Sequence, residues 1–530
     1  MALTPTKAEK IGEKQECVLT AEKNDLKKLK FYHGVQTKED AARLMKDAPV
    51  GDFLLRSSFL KNEVVLVLFF SVKVGEKDQD VHHYLLDVNK GGETFTVKQD
   101  VVDKDGAKKC VDSPPFKDYD EMIQYYRFHR MASGIRLNRA VSRPKWQLRH
   151  SEVQYDDAGK LGSGNFCHVY RGKLKRMNGQ KEEDVAIKVS KATEKDSAVL
   201  METRNALFAE AKIMIAYNHA NVIRLFGIAC DAPPFMVCME FCSGGSLEEH
   251  LLKRGADMEE FERQSVLLDA ARGMRYLHTQ KCVHRDLASR NCLISSEGLI
   301  KIADFGLSKT LGANETAFKE ALKEAPLVWM APECVQKESE FSIKSDVWAF
   351  GVLIYEVYFN GAKPFADEKD TGVIVKAIRR AKMPLIDEKT KVPKMNDLLA
   401  AIWTRKPEDR ADFQKILELL VDALVPSTPA DLKKMQLNKL DGVVRDKMPN
   451  FDTAPEKLAI LNDGTESARE SKKRERTNRR KPRTKKSGNS KTRSEVFDDK
   501  QAQSSKGTIR TPVRGSSKGS TPTAAKKKEP

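Results

Sequence analysis

The chain has no apolar run near the roughly 18–20 residues that a bilayer-spanning helix needs. Its longest, VVLVLFF at 64–70, is the length of a strand. The opening stretch MALTPTKAEKIGEKQE lacks the apolar centre of a secretory signal, and Ala at position 2 excludes N-myristoylation. The nine cysteines are odd in number and none stands in a CxxC or Cys/His metal spacing. Neither a disulfide framework nor a zinc site is expected, and the chain reads as a reduced, cytosolic or nuclear protein. Cys238, Cys242, Cys282 and Cys292 sit in apolar or strand-like contexts, where a thiol behaves as a small hydrophobe. No internal repeat is present.

Aromatic residues all but vanish at the C-terminal end. Residues 471–530 contain one, Phe497, and cannot bury enough apolar surface to fold alone. The same stretch holds 20 Lys/Arg against 5 Asp/Glu, so +15 of the formal +17 lies there and residues 1–470 carry only +2. This excludes a uniformly basic nucleic-acid binder. The basic blocks, KKRERTNRRKPRTKK at 472–486 and KKK at 526–528, lack the interleaved aromatics that stack on single-stranded bases. A solvated tail, an anchor on an anionic membrane surface and a nuclear-import signal remain as readings of it.

At 530 residues the chain is too long for one core. Residues 1–30 form a polar, Lys-rich lead-in. Between residues 31 and 142, a helical pattern (KEDAARLMKD) precedes strand patterns in GDFLLRSS, VVLVLFFSV, HHYLLDV and TFTVKQ. A second helical pattern, KDYDEMIQYYRFHR, closes this small α+β unit. A linker at 143–152, containing SRPKWQLRH, leads into a unit at 153–425 that is strand-rich first and helix-rich later. PSTPADLKK then opens a low-complexity basic tail at 426–530, expected to be disordered.

Residues 161–170 read LGSGNFCHVY, in which Gly162 and Gly164 let the backbone bend closely over phosphates. On its own that is also a common hairpin turn. VAIK follows, ending in Lys188, and Glu210 lies in the helical stretch FAEAKIMIAY. HRDLASRN at 284–291, DFG at 304–306 and APE at 331–333 complete a set whose order is that of a protein kinase. Residues 153–425 therefore resemble a protein kinase catalytic domain, and a bilobal fold is implied.

The resemblance implies roles for particular residues. Lys188 would hold the α/β-phosphates of ATP, oriented by Glu210, and Asp286 would accept the substrate proton. Asn291 and Asp304 would bind Mg²⁺. The nucleotide would lie against Leu161, Gly162, Ser163, Gly164, Asn165, Phe166, Cys167, His168 and Val169. Glu240 and Cys242 would form its hinge contacts, behind a Met239 gatekeeper. Glu333 and Arg410 resemble the family's structural ion pair. Ala288 and Arg290, two and four residues after Asp286, follow the tyrosine-kinase pattern, as do WMAPE at 329–333 and DVWAFGVLIYE at 346–356.

Residues 31–142 resemble an SH2 domain, which implies a central antiparallel sheet flanked by two helices. FYHG opens it and GDFLLRSS supplies its central strand. An inward arginine on a strand would ordinarily be a costly buried charge. Arg56 makes sense if a bidentate guanidinium meets a phosphate. Ser58, Lys38 and His83 would complete that phosphotyrosine pocket, with Lys38 standing where the family commonly has Arg. SH2 followed directly by a tyrosine kinase, with VYRG, FAEAKIM and NHANVIRLFGIAC, is similar to the Fes/Fer non-receptor tyrosine kinases in the short form common in nematodes. In that family the SH2 domain docks on the small lobe, so peptide binding and catalysis are expected to be coupled. Partners would be tyrosine-phosphorylated proteins and tyrosine-containing protein substrates, in the cytoplasm, at the plasma membrane or in the nucleus.

Three features depart from the family pattern. Cys167 replaces the third glycine of the phosphate loop, crowding it or serving as a redox handle. No tyrosine lies between Asp304 and Glu333, and Phe318 stands near the family's autophosphorylation site, leaving an unphosphorylated ordered loop or a phosphate on Thr310 or Thr316. The run KATEKDSAVLMET between Lys188 and Glu210 predicts an extended loop. None of these removes a catalytic group, so an active kinase is expected over the alternative of a phosphotyrosine-binding pseudokinase adaptor.

Overall fold

The computed structural model describes residues 25–447, except for short segments at 60–65, 90, 103–106, 165–166, 177–181, 192–196, 322–325, 337, 387–392 and 425–426. The lead-in at 1–24 and both basic blocks lie outside the described residues, as do Asn165 and Phe166. The chain divides after Lys472, and the architecture below belongs to the first unit.

The first domain is a six-stranded sheet with a helix on each face. Its elements run β1 (Tyr32–Val35), α1 (Lys38–Leu44), β2 (Phe53–Phe59), β3 (Leu66–Lys73), β4 (Val81–Val88), β5 (Phe95–Val102), β6 (Lys108–Asp112) and α2 (Tyr119–Phe128). The strands lie in chain order, β1 parallel to β2 and the others antiparallel. Thr37 starts α1 by accepting the Asp40 amide on its hydroxyl at 3.1 Å, and Asp118 starts α2 by accepting the Glu121 amide at 2.7 Å. Strand alternation then sorts the side chains. Phe53, Leu55, Phe70, Val72 and Tyr84 form a core with Met122 and Tyr126 of α2. On the other face Leu54 and Val81 pack with Ala41 and Met45 under α1, and Arg56 shares that face.

The linker is not a plain connector. Its β7 (Gln147–Leu148) joins the sheet of the small lobe, running parallel to β11. That lobe holds β8 (Val153–Ser163), β9 (Cys167–Leu174), β10 (Glu183–Ser190), α3 (Ser197–Ile215), β11 (Leu225–Ala229) and β12 (Met236–Glu240). The sheet order is β7-β11-β12-β10-β9-β8. The extended loop expected before α3 is corrected: the part of that run from Ser197 onward is helix. Leu200, Leu207, Phe208, Ala211 and Met214 are buried at helical spacing, and that packing outweighs the polar composition of the run.

The large lobe is helical, with α4 (Leu247–Arg254), α5 (Glu260–Thr279), β13 (Cys282–Val283), β14 (Cys292–Ile294), β15 (Ile300–Ile302), β16 (Lys309–Thr310), β17 (Ala317–Lys319) and β18 (Glu340–Ser342) preceding α6 (Ile343–Tyr358). α7 (Thr371–Arg379), α8 (Pro393–Ile402) and α9 (Phe413–Ala423) follow. α6 is apolar nearly all round and is wrapped by its neighbours, with Trp348, Phe350 and Leu353 fully buried. Among the described residues no helix is long and apolar enough to cross a membrane. The eight described cysteines are free thiols, seven of them buried. Burial pushes Cys238, Cys242 and Cys282 up to about 12, as expected of packed, unreactive thiols.

The tail does not begin at 426. α10 (Pro429–Lys434) and a following 3₁₀ turn at Leu437–Lys439 continue the domain as a strap. Met435, Leu437 and Val443 are buried on the large lobe. The Gln436 and Leu437 amides donate to the buried Glu262 carboxylate at 3.0 and 2.9 Å, and Arg445 pairs with Asp269 at 3.0 Å. Three apolar residues spread over nine positions give no period to read, yet each joins the apolar core that the large lobe builds. Leu437→Ala in the full chain is expected to cost about 2–5 kcal/mol, seen as a lowered melting transition of the catalytic domain. An unchanged transition would exclude the strap from that cooperative unit.

Candidate active site and phosphotyrosine pocket

Strand β10 alternates Val185, Ile187 and Val189 into the small-lobe interior with Ala186 and Lys188 into the interlobe cleft. There the Lys188 Nζ donates to both Glu210 oxygens of α3, at 3.0 and 2.7 Å, and lies 3.7 Å from Asp304 Oδ1. Burial alone would lower the Lys188 pKa, but the Glu210 and Asp304 carboxylates outweigh it and leave it raised. Burial pushes Glu210 up, against the pull of the ammonium. Two carboxylates thus flank one ammonium, which keeps Lys188 protonated.

The cleft encloses about 860 Å³. The expected residues Leu161, Gly162, Ser163, Gly164, Cys167, Val169, Glu240 and Cys242 all line it, as do Met239, Asn291 and Asp304. His168 does not. Along β9 it alternates away from Cys167 and Val169, its ring 6.2 Å from that of Tyr170, so its expected nucleotide contact is corrected. Among the described residues a Cβ on Gly162 would meet nothing within 4 Å, and one on Gly164 only the Cys167 carbonyl at 3.9 Å. Packing among the described residues demands neither glycine, and the clearance beside the loop is what a phosphate group would use. The Cys167 thiol is pushed up by burial, which Lys188 only partly opposes, and this disfavours the redox reading.

The catalytic loop is built from the large lobe. Asp286 receives Arg290 on Oδ1, and Asn291 Nδ2 donates to its Oδ2 and its carbonyl, both at 2.7 Å. The Arg290 guanidinium lies 4.6 Å over the Trp329 ring of the WMAPE segment. Buried carboxylates hold this loop from behind. Asp346 accepts the His284 and Arg285 amides at 2.8 and 2.9 Å, and Glu356 accepts Ser289 through its amide and hydroxyl at 3.0 and 2.8 Å. Glu333 and Arg410 form the expected bidentate pair, at 2.6 and 2.7 Å. Phe305 is buried, 5.3 Å from the His284 ring, while the half-exposed Asp304 faces the cleft at φ +60°. With Nδ2 occupied, Asn291 keeps its amide oxygen as an acceptor. Asn291 and Asp304 thus offer two hard oxygens, which suits a divalent ion that draws its other ligands from phosphate and water. Among the described residues no cluster of three or more His, Cys, Asp or Glu side chains could hold a metal without such help.

In the first domain Arg56 is only 1% exposed. Its Nη1 donates to the Gln36 carbonyl at 2.9 Å, its guanidinium lies 4.5 Å over Phe69, and Nε has no hydrogen-bond partner among the described residues. Burial lowers it to about 10, aided by Arg204. Ser58 follows on the same face of β2, and His83 arrives from β4, held by Ser71 at 2.9 Å. Lys38 opens α1. Burial first, then Arg56 and Lys38, lowers His83 to about 4, so the four expected residues converge on one electropositive face.

That pocket is joined to α3 through residues that sequence reasoning missed. Arg204 of α3 donates to the Val35 carbonyl and to Gln36 Oε1, both at 2.9 Å, and pairs with Asp40 at 2.7 Å. Lys212 reaches the other Asp40 oxygen, also at 2.7 Å. Burial would raise Asp40, but the two cations bring it down to about 2. At Gly34 (φ +69°) the backbone comes so near that a Cβ would lie 2.4 Å from the Cys230 carbonyl, which accepts the Val35 amide at 2.7 Å. Partners some 170 positions apart leave no local signal in the sequence.

An SH2-type sheet with its central arginine, followed by a bilobal cleft with the lysine–glutamate pair, defines a phosphotyrosine-reading protein kinase. Residues 31–126 match the SH2 domain family, and residues 156–420 match the protein tyrosine and serine/threonine kinase family. The chain is 31% identical over 405 residues to Fer-related kinase 1 of Caenorhabditis elegans, covering 74% of this chain and 93% of that protein. It is 31% identical over 342 residues to the tyrosine-protein kinase transforming protein Fps of Avian sarcoma virus (strain PRCII), covering 64% of this chain and 57% of that one. With the human tyrosine-protein kinase Fer it shares 29% over 389 residues, 73% of this chain but 43% of that protein. The chain belongs to the Fer/Fps non-receptor tyrosine kinases, ATP-dependent enzymes that act on proteins, and its SH2 domain binds phosphotyrosine proteins.

The His83 environment carries a pH signature. An exposed imidazole titrates near 6.5, whereas folded His83 stays neutral down to about 4. As pH falls the unfolded chain takes the proton first, so the stability tied to His83 is complete above about 6.5 and lost towards about 4. His83→Gln is expected to flatten the loss of SH2-domain stability between about pH 7 and about pH 4.5, followed by thermal melts. An unaltered slope would mean that His83 titrates like an exposed residue.

Proposed function

We propose that the chain transfers the γ-phosphoryl group of Mg²⁺-bound ATP to tyrosine hydroxyls of cytoplasmic proteins recruited through phosphotyrosine at Arg56. The observation that carries this reading is the assembled Lys188–Glu210 pair beside Asp304, opposite a catalytic loop whose Asp286 is held on both oxygens. Lys188 holds the α/β-phosphates, and the open backbone at Gly162 and Gly164 receives the rest. Asn291 and Asp304 would bind Mg²⁺, which supplies charge neutralisation on the phosphates. The substrate phenol lies by Arg290 and Trp329. Asp286 takes its proton as the phenolic oxygen bonds to the γ-phosphorus, and the bond to the β,γ-bridging oxygen breaks to release ADP. Little covalent work is required of the protein, so fixing Asp286 through Arg290 and Asn291 is its main contribution.

Peptide binding at Arg56 is coupled to catalysis through Gln36, Asp40 and Arg204, because the hydrogen bonds that orient Arg56 share a backbone segment with those that hold α3. The basic tail adds attraction to an anionic membrane face.

The test is phosphorylation of a poly-Glu/Tyr substrate by the full chain with Mg-ATP, with and without a phosphotyrosine peptide. Asp286→Asn is expected to lower kcat by about 10²–10⁴-fold. Asp40→Asn, which leaves Arg204 with an uncharged partner, is expected to abolish the response to peptide while retaining peptide binding. A wild type as silent as Asp286→Asn would transfer the function to phosphotyrosine binding alone.

A further inference from the structure

Kinase activation segments are commonly ordered when a phosphorylated side chain meets an arginine. Arg285, whose side chain is only 6% exposed, faces this segment and is already engaged. Its Nε donates to the Leu307 carbonyl. Its Nη1 lies 3.2 Å from Glu320 Oε1, a close ion pair without in-line hydrogen-bond alignment. The other Glu320 oxygen is 3.6 Å from Lys309 Nζ. One carboxylate thus spans the two cations that flank the segment.

The neighbouring residues complete the arrangement. Phe318 stacks on Phe341 with centroids 5.9 Å apart. Lys309 Nζ lies 4.1 Å above Phe318, and the Arg285 guanidinium lies 5.3 Å from Phe318 and 5.2 Å from Phe341. The backbone is pinned as well. β17 pairs with β18, the Glu320 amide donates to the Ser339 carbonyl at 3.1 Å, and β16 pairs with β13 further upstream. Of the hydroxyls between Asp304 and Phe318, Ser308 donates to the His284 carbonyl at 3.2 Å, and Thr310 and Thr316 are exposed outside this cluster.

We infer that Glu320 is a built-in substitute for an activation-segment phosphate, holding the segment in its working position through Arg285 and Lys309 so that the kinase needs no phosphorylation there. A carboxylate carries one negative charge where a phosphotyrosine carries nearly two. The Phe318 ring between the same cations makes up part of the difference. Removing the Glu320 charge would leave the buried Arg285, among the described residues, with the Leu307 carbonyl and two aromatic rings but no anion, and the segment would have to move to hydrate it. Glu320 is accordingly a positioning residue: it touches neither ATP nor the substrate hydroxyl.

This inference rests on the chain being an active tyrosine kinase, and the experiment separates the two. Full-length protein is stripped by a broad-specificity protein phosphatase, checked by intact mass, and assayed on poly-Glu/Tyr with Mg-ATP. Amide hydrogen exchange of residues 309–320 is followed in parallel. The dephosphorylated wild type is expected to keep at least about half its rate without a lag, and its Ala317–Glu320 amides to stay protected. E320Q should lower kcat about tenfold while the ATP KM stays within about twofold, and should speed exchange in the segment by about tenfold. E320D should restore most of both. Loss of activity on dephosphorylation, regained as Thr310 or Thr316 is phosphorylated, would overturn the inference, and so would an E320Q enzyme with wild-type rate and exchange. If the wild type is as silent as D286N yet its segment is protected and E320Q exposes it, the catalytic reading fails while the role of Glu320 stands.

Discussion

The ion pair between Lys188 and Glu210 sets the terms for the whole molecule. A lysine on a strand and a glutamate on a helix meet only if that helix is held at one depth and one rotation. A pair of this kind at a surface would be worth about 0–1 kcal/mol and could not hold a helix in place by itself. α3 is therefore fixed from other sides. Leu207, Phe208 and Ala211 pack it on the sheet, and Arg204 fastens it to the first domain. Arg204 and Glu210 are six residues apart, which at 3.6 residues per turn places them well round the helix from each other. One helix thus presents a catalytic side chain to the cleft and a docking side chain to the phosphotyrosine reader.

The large lobe solves the corresponding problem with buried carboxylates. Asp346 and Glu356 both project from α6 and together hold the backbone on either side of Asp286. Burial raises the Glu356 pKa, and the donors converging from Ser289 and Trp329 oppose that rise. A loop held from a helix that is itself buried nearly all round can place the Asp286 oxygens without stiff local sequence. The activation segment follows the same logic nearer the surface, where Glu320 meets a buried guanidinium. In all three places a charged group stays in a low-dielectric setting because partners from distant parts of the chain surround it.

Much of this was legible in the residues. The strand and helix patterns of the first domain, the glycine loop, Lys188, Glu210, Asp286, Asn291, Asp304 and Arg56 announce themselves because each belongs to a short run whose local order is characteristic. The errors share a cause. His168 was assigned to the cleft because it stands within the loop motif, but a strand sends alternate side chains to opposite faces. The run ahead of α3 looked like a loop because its charges obscured Leu200 and Thr203, which the fold buries. The strap after α9 looked like tail because Met435, Leu437 and Val443 acquire meaning only against a surface that another segment builds.

By itself the amino-acid sequence determined which chemistry was present, since a motif is a local statement and the phosphate loop, catalytic loop and strand arginine are each encoded within about ten residues. It also determined that no tyrosine would order the activation segment. Only the tertiary structure decided how the parts act on one another. Asp40 meeting Arg204, Gly34 admitting the Cys230 carbonyl, and Glu320 meeting Arg285 are pairings across 35 to almost 200 positions. Their existence depends on packing that brings together groups with no mutual preference along the chain.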